Sequence, residues 1–195
     1  MWGSDGMVAD GSNSKFGPEK TINTPLKYIV GGSPVEVYFS PSDGTTTAIR
    51  ETIESVDYSM FFALLSFTRD DLAAAVIAET SFFVTPVGTI EQVSGTGTEF
   101  DNLLDAGVEV YSHEGISGSL HHKYAVVDHV EPLSDPTVIT GSHNWSSTAE
   151  NINDENTVMV HDARVANLYY QEFMGLLTSM GIIAVEDLEG EIALA

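Results

Sequence analysis

From about residue 35 onward, short runs of β-branched and aromatic residues alternate with helix-period segments, which restricts the chain to layered α/β architectures. Residues 35–40 alternate like a half-buried strand. Ser42, Asp43 and Gly44 then turn the chain into a helix over 45–56, where Ile49, Ile53 and Val56 recur every three or four positions. Residues 58–67 read as a buried strand, Thr68 as the N-cap of a helix over 69–79, and 81–86 as another strand. A short helix at 99–104, strands at 108–111 and 156–160, and an amphipathic helix at 163–180 complete the pattern. The first thirty or so residues are rich in Gly, Ser, Asn and Pro and lack periodicity. They read as a flexible arm or linker (1–33) ahead of one folded domain (34–195).

Residues 120–156 concentrate the chemistry. His121 and Lys123 are two apart among the strand formers Tyr124, Val126 and Val127, so a strand there projects both from one face. Ser142 and Asn144 repeat that spacing after a second apolar run, 137–140. Two neighbouring strands can therefore offer an imidazole, a cation and two neutral hydrogen-bonding groups to one small anion.

A phosphodiester resists attack because its two anionic oxygens repel a nucleophile, so a site must neutralise them and supply both an attacker and an acid. His121 can attack as a neutral imidazole, forming a phosphohistidine that water later hydrolyses. Lys123 supplies fixed charge, and Ser142 and Asn144 donate where negative charge builds up. A helix starting at Trp145 would add its free N–H groups. Glu155 is expected to orient the imidazole by accepting from one ring nitrogen. Asp128, an odd number of residues from His121, faces the other way and is read as structural.

These residues resemble the HKD motif of the phospholipase D superfamily. His121, Lys123 and Asp128 stand at H-x-K-x(4)-D, and Gly141, Ser142 and Asn144 at G-S-x-N. Ala149, Asn153, Glu155 and Asn156 match the A-x(3)-N-x-E-N of the superfamily's single-motif bacterial endonucleases, with Trp145 and Ser146 also fitting. The looser resemblance runs from about residue 35 to 180. It implies a mixed β-sheet sandwiched between helices, metal-independent chemistry with no cofactor, and two facing motifs per active site. The chain has one motif, so the resemblance implies a twofold homodimer, unless the chain is the second half of a two-motif protein.

The other histidines carry weaker expectations. His122 alternates to the opposite face from His121 and reads as a packing residue, whereas His143, the free position of G-S-x-N, is a candidate substrate contact. His113, His129 and His161 read as exposed loop or strand-end residues. A zinc site built from His121, His122 and His143 is disfavoured, because adjacent histidines on a strand face apart. The link 129–140 is longer than the family's and, adjoining the motif, is expected to rim the site or to be a surface insertion. Tyr169, Tyr170, Phe173 and Leu176 read as core or dimer contacts.

Charge narrows the partners. Seven basic against 29 acidic residues give a formal net charge of −22, opposite to the basic footprint of proteins that grip nucleic acid. Apart from Lys123, the cations Lys15, Lys20, Lys27, Arg50, Arg69 and Arg164 are scattered. A nucleic acid substrate is therefore expected to bind transiently. With no basic amphipathic helix, stable membrane association is not expected. The apolar windows are too short to span a bilayer, and no signal peptide is visible. The compartment stays open between the bacterial cytoplasm and, if the amino terminus is truncated, secretion of a soluble protein. The absence of cysteine excludes disulfides and thiolate metal sites. The leading expectation is a phosphodiesterase cleaving DNA or RNA. The alternatives are a phospholipid hydrolase or transphosphatidylase, and a binding module without catalysis or half of a two-motif enzyme.

Overall fold

A computed structural model describes residues 15–20, 22, 25–81, 83–131 and 133–184. Among them, eight strands form one mixed sheet: β1 (Lys27–Val30), β2 (Ser33–Ser40), β3 (Met60–Leu64), β4 (Val87–Ile90), β5 (Glu109–Ser112), β6 (Lys123–Val127), β7 (Thr137–Gly141) and β8 (Glu155–His161). Their order across the sheet is β1-β2-β8-β7-β6-β3-β4-β5. Only the β3–β4 and β4–β5 pairs are parallel. The helices are α1 (Thr45–Ile53), α2 (Asp70–Glu79), α3 (Phe100–Asp105), α4 (Ser147–Asn151) and α5 (Ala163–Ser179).

Strand alternation divides the core in two. Met60, Phe62 and Leu64 of β3, with Ala125 and Val127 of β6, pack with Ile49 and Ile53 of α1 and Leu72 and Val76 of α2. On the opposite face Ala63, Tyr124, Val126 and Val138 pack with Ala166, Phe173 and Leu177 of α5. The sheet is thus sandwiched between helices, as expected, with Tyr169 and Leu176 packed against the second cluster. Lys123 has the parity of Ala125 and Val127, and it opens β6 opposite Leu64 at the sheet end where the site forms.

The structure corrects several local expectations. β1 lies within the stretch read as an arm. All four of its residues are exposed, so no burial period marks it. It is a strand because Gly31 and Gly32, both at positive φ, fold Val30 back onto Ser33. The strand expected at 81–86 lies at Val87–Ile90 instead. Its signal is masked by Gly88, whose missing Cβ makes room for the Phe62 ring. Arg69, not Thr68, occupies the N-cap position of α2, and the Thr68 N–H donates to the Trp145 carbonyl at 2.8 Å.

Of the 129–140 stretch, Thr140 borders the site at the end of β7, whereas the described residues of 129–136 do not rim it. β6 leaves the site at Lys123 and β7 returns to it at Gly141, so their connection sits at the other end of the strands. Five strand residues place it about 17 Å away. His161, with Nδ1 2.9 Å from Asp135, also belongs to that distant end.

Gly88→Ala should lower unfolding free energy by about 1–3 kcal/mol, because its Cβ would lie 2.1 Å from the buried Phe62 ring. Urea denaturation measures this, and Gly88→Ala with Phe62→Leu should recover part of the loss.

Candidate active site

His121 and Lys123 are delivered by the start of β6. The Leu65 N–H donates to the His122 carbonyl at 2.8 Å, keeping the lead-in to the strand extended. The Lys123 Nζ lies 3.2 Å from His121 Nδ1 and donates to the His121 carbonyl at 3.0 Å. The i, i+2 spacing therefore brings cation and imidazole together. Lys123 is buried to 9% exposure whereas the His121 side chain is open to solvent. Burial pushes the Lys123 ammonium below its ordinary pKa, and the negative charge of Glu155 opposes that shift.

The second half of the site is the turn after β7. Gly141 sits at φ 146°, and a Cβ there would lie 2.2 Å from the Asn156 carbonyl oxygen. Only glycine lets β7 end this close to β8. The Ser142 N–H donates to the Asn156 carbonyl at 3.0 Å, and the Asn156 N–H donates back to Ser142 Oγ at 3.1 Å. Ser142 Oγ in turn donates to Glu155 Oε2 at 2.6 Å, and Asn153 Nδ2 donates to Oε1 at 3.0 Å. Glu155 therefore makes no hydrogen bond to His121 in the single chain. It is held by Ser142 and Asn153 and acts on the His121–Lys123 pair through its charge on Lys123. Asn144 is half-buried, and its carbonyl accepts from the Ser146 N–H at 2.7 Å.

Two expectations at this turn are corrected. His143 is no substrate contact: its side chain is 1% exposed and its Nε2 lies 3.3 Å from Glu150 Oε2, too poorly aligned for a hydrogen bond. Glu150 also accepts from the Thr46 N–H and hydroxyl, so this pair ties the turn to α1. The helix expected to aim free N–H groups at the anion is the five-residue α4, and the Ala149 N–H there is already capped by Ser146 Oγ at 3.3 Å.

The remaining imidazoles lie in separate environments. His122 Nε2 lies 3.2 Å from Glu172 Oε1, and Tyr124 donates to the other oxygen of Glu172. The His122 contact, with burial opposing it, holds Glu172 below the usual carboxylate range, and burial with that bond pushes the Tyr124 phenol far up. His121, His122 and His143 therefore do not converge. His113 and His129, expected to be exposed, are buried: His113 Nδ1 lies 2.7 Å from Glu91, and His129 stacks 3.7 Å from Tyr170.

Two hollows border the 140–142 turn. A groove of about 400 Å³ runs past His121, Lys123, Gly141, Tyr169 and Glu172. A smaller one of about 150 Å³ is lined by Phe16, Lys20, Phe39, Ser142 and Glu155. The amino-terminal segment builds its wall: the Gly17 N–H donates to Asp154 at 2.9 Å, and Lys20 pairs with the same carboxylate at 3.0 Å. Glu172, which sequence reasoning missed, sits on the exposed side of α5 with no spacing cue linking it to the motif. The turn of 57–59 is fixed from the far end of β6, where Asp128 (φ 52°) accepts from the N–H groups of Asp57, Tyr58 and Ser59 at 3.1, 2.8 and 2.9 Å.

Comparison with known proteins places this geometry in a family context. Residues 87–177 match the family described as "Cardiolipin synthase, PLD-like domain". Mitochondrial cardiolipin hydrolase of Xenopus laevis is 34% identical over 115 residues, covering 59% of this chain and 47% of that protein. The chain spans about half the length of such curated relatives. Among solved structures, the phospholipase D family member Nuc from Salmonella typhimurium superposes with a TM-score of 0.63 at 24% identity, covering 72% of this chain and 91% of that one. NucT from Helicobacter pylori gives a TM-score of 0.60 at 20% identity, covering 72% and 95%.

Asp128→Ala should cost about 2–4 kcal/mol in urea unfolding, because three N–H groups lose a charged acceptor. Asp128→Asn should cost less, since Asn tolerates the left-handed backbone and retains one acceptor oxygen.

Proposed function

We propose that this chain, which belongs to the phospholipase D superfamily, is a metal-independent phosphodiesterase in which His121 attacks phosphorus and a nucleic acid strand is the substrate. The observation that carries this reading is the exposed imidazole of His121, 3.2 Å from the buried Lys123 ammonium at the mouth of an open groove. An open groove admits a phosphodiester from the middle of a strand.

Attack through Nε2 requires the proton on Nδ1. In the single chain Nδ1 faces the Lys123 ammonium. Catalysis therefore needs a carboxylate to take over that face of the ring, the role assigned to Glu155 once substrate draws Lys123 and Ser142 to its phosphate oxygens. The leaving oxygen needs a proton donor opposite the attacker. His113 and His122 are tied to carboxylates, His143 is buried beside Glu150, and His129 and His161 lie at the far end of the sheet. A second copy of the chain, presenting its own His121, supplies the donor in a twofold dimer. The two imidazoles then titrate as a pair.

Hydrolysis of a phospholipid headgroup is the second reading, and two observations favour it. The family model matching residues 87–177, which contain the motif, is described by cardiolipin synthase, and the Xenopus laevis relative is a cardiolipin hydrolase. The ionised Glu172 beside the groove also repels the next phosphate of a strand. No helix among the described residues is long and apolar enough to cross a membrane, so a lipid substrate would be met at a surface.

Incubation with single-stranded DNA, RNA and cardiolipin vesicles, each with EDTA, separates the readings. Strand cleavage that persists under chelation and falls at least ~10³-fold in His121→Ala supports the proposal. Headgroup release alone supports the second reading, and inertness on all three refutes both. Sedimentation of the active species should give a dimer, and a fully active monomer would exclude the second-copy donor.

A further inference from the structure

β3, β4 and β5 run parallel and end side by side at the sheet edge that carries His121. The Glu91 N–H donates to the Leu64 carbonyl at 3.0 Å and the His113 N–H to the Ile90 carbonyl at 2.9 Å, so the strand ends are laced together. Beyond them the chain makes an exposed loop, 114–119, with Gly115 and Gly118 at positive φ. His113 and Leu120 bracket that loop, and both are buried.

One carboxylate oxygen holds both ends. Glu91 Oε2 accepts from the Leu120 N–H at 2.8 Å and lies 2.7 Å from His113 Nδ1. The residue after Leu120 is His121. The side chain of His121 is open to solvent, and among the described residues Lys123 is its only hydrogen-bond partner. The ring therefore takes its position from its backbone. That backbone is fixed on one side by β6 and on the other by this clip.

We propose that Glu91, braced by His113, is a positioning residue for His121, a role that rests on the reading of His121 as the nucleophile. Glu91 closes the 114–119 loop at its base and so holds the imidazole where it can line up with phosphorus. Without the clip the loop opens, the Leu120 N–H loses its acceptor, and the ring explores positions from which attack is unproductive. A displacement near 1 Å at a reacting group costs about 10²-fold in rate. Substrate binding, set by Lys123 and the 141–144 turn, is little affected.

The test compares Glu91→Ala with Glu91→Gln in the full chain, on whichever phosphodiester the wild type hydrolyses. The Gln carbonyl has two lone pairs and can accept from both Leu120 and His113. Glu91→Ala should lower kcat about 10- to 100-fold with KM within about threefold, while Glu91→Gln stays close to wild type. Amide hydrogen exchange at Leu120, read without substrate, should quicken at least ~10-fold in Glu91→Ala only. Should Glu91→Ala be insoluble, His113→Ala frees the other end of the loop and should show the same split in smaller measure. Unchanged exchange at Leu120, an unchanged kcat, or equal losses in the Ala and Gln variants would overturn the proposal. If wild type hydrolyses no phosphodiester, the nucleophile reading fails, and Leu120 exchange alone decides whether the clip exists.

Discussion

The site depends on how closely β7 can end beside β8. Gly141 lies so near the Asn156 carbonyl that no side chain fits, and this contact brings Ser142 over Glu155. β6 pairs antiparallel with β7 and delivers His121 and Lys123 to the same sheet edge. Three neighbouring strand ends thus assemble an imidazole, a cation and a bound carboxylate. The hydrophobic sandwich on both sheet faces holds the strands in the register this requires. Lys123 is the point where the two requirements meet: it starts a wholly buried strand and faces the site.

Electrostatics set what the site can accept. A chain with a net charge of −22 presents the buried Lys123 ammonium to its substrate, with Glu155 acting on it and Glu172 lining the same groove. Lys20, the nearest other cation built into the site wall, is neutralised by Asp154. One phosphodiester can be held locally, whereas a polyanion gains little beyond that contact. Short-lived encounters follow for a nucleic acid, with a repulsion that added salt screens, and a lipid headgroup avoids the penalty.

Much of this was legible in the sequence where a repeat or a motif carried it. The strand and helix alternation predicted a layered α/β domain, the motif resemblance implied the sandwich, and the i, i+2 spacing brought Lys123 to His121. The failures have local causes. β1 has no buried face to impose a period, and β4 hides behind Gly88, which is glycine because Phe62 occupies its side-chain space. His143 looked like a substrate contact because the turn conformation that points it inward to Glu150 leaves no trace in spacing. Glu91 and His113 are 22 residues apart and meet only because parallel strands end together. The longer link after Asp128 looked adjacent to the motif because five strand residues separate the two ends of β6 in space but hardly in sequence.

The central claim is that His121 forms a covalent bond to phosphorus. Acid-sensitive phosphohistidine, trapped by rapid alkaline quench during turnover and located by mass spectrometry of peptides, tests it directly. An adduct on the peptide containing His121 should form and decay at rates matching turnover. Steady hydrolysis with no adduct on that peptide, or an adduct on another histidine, would contradict it.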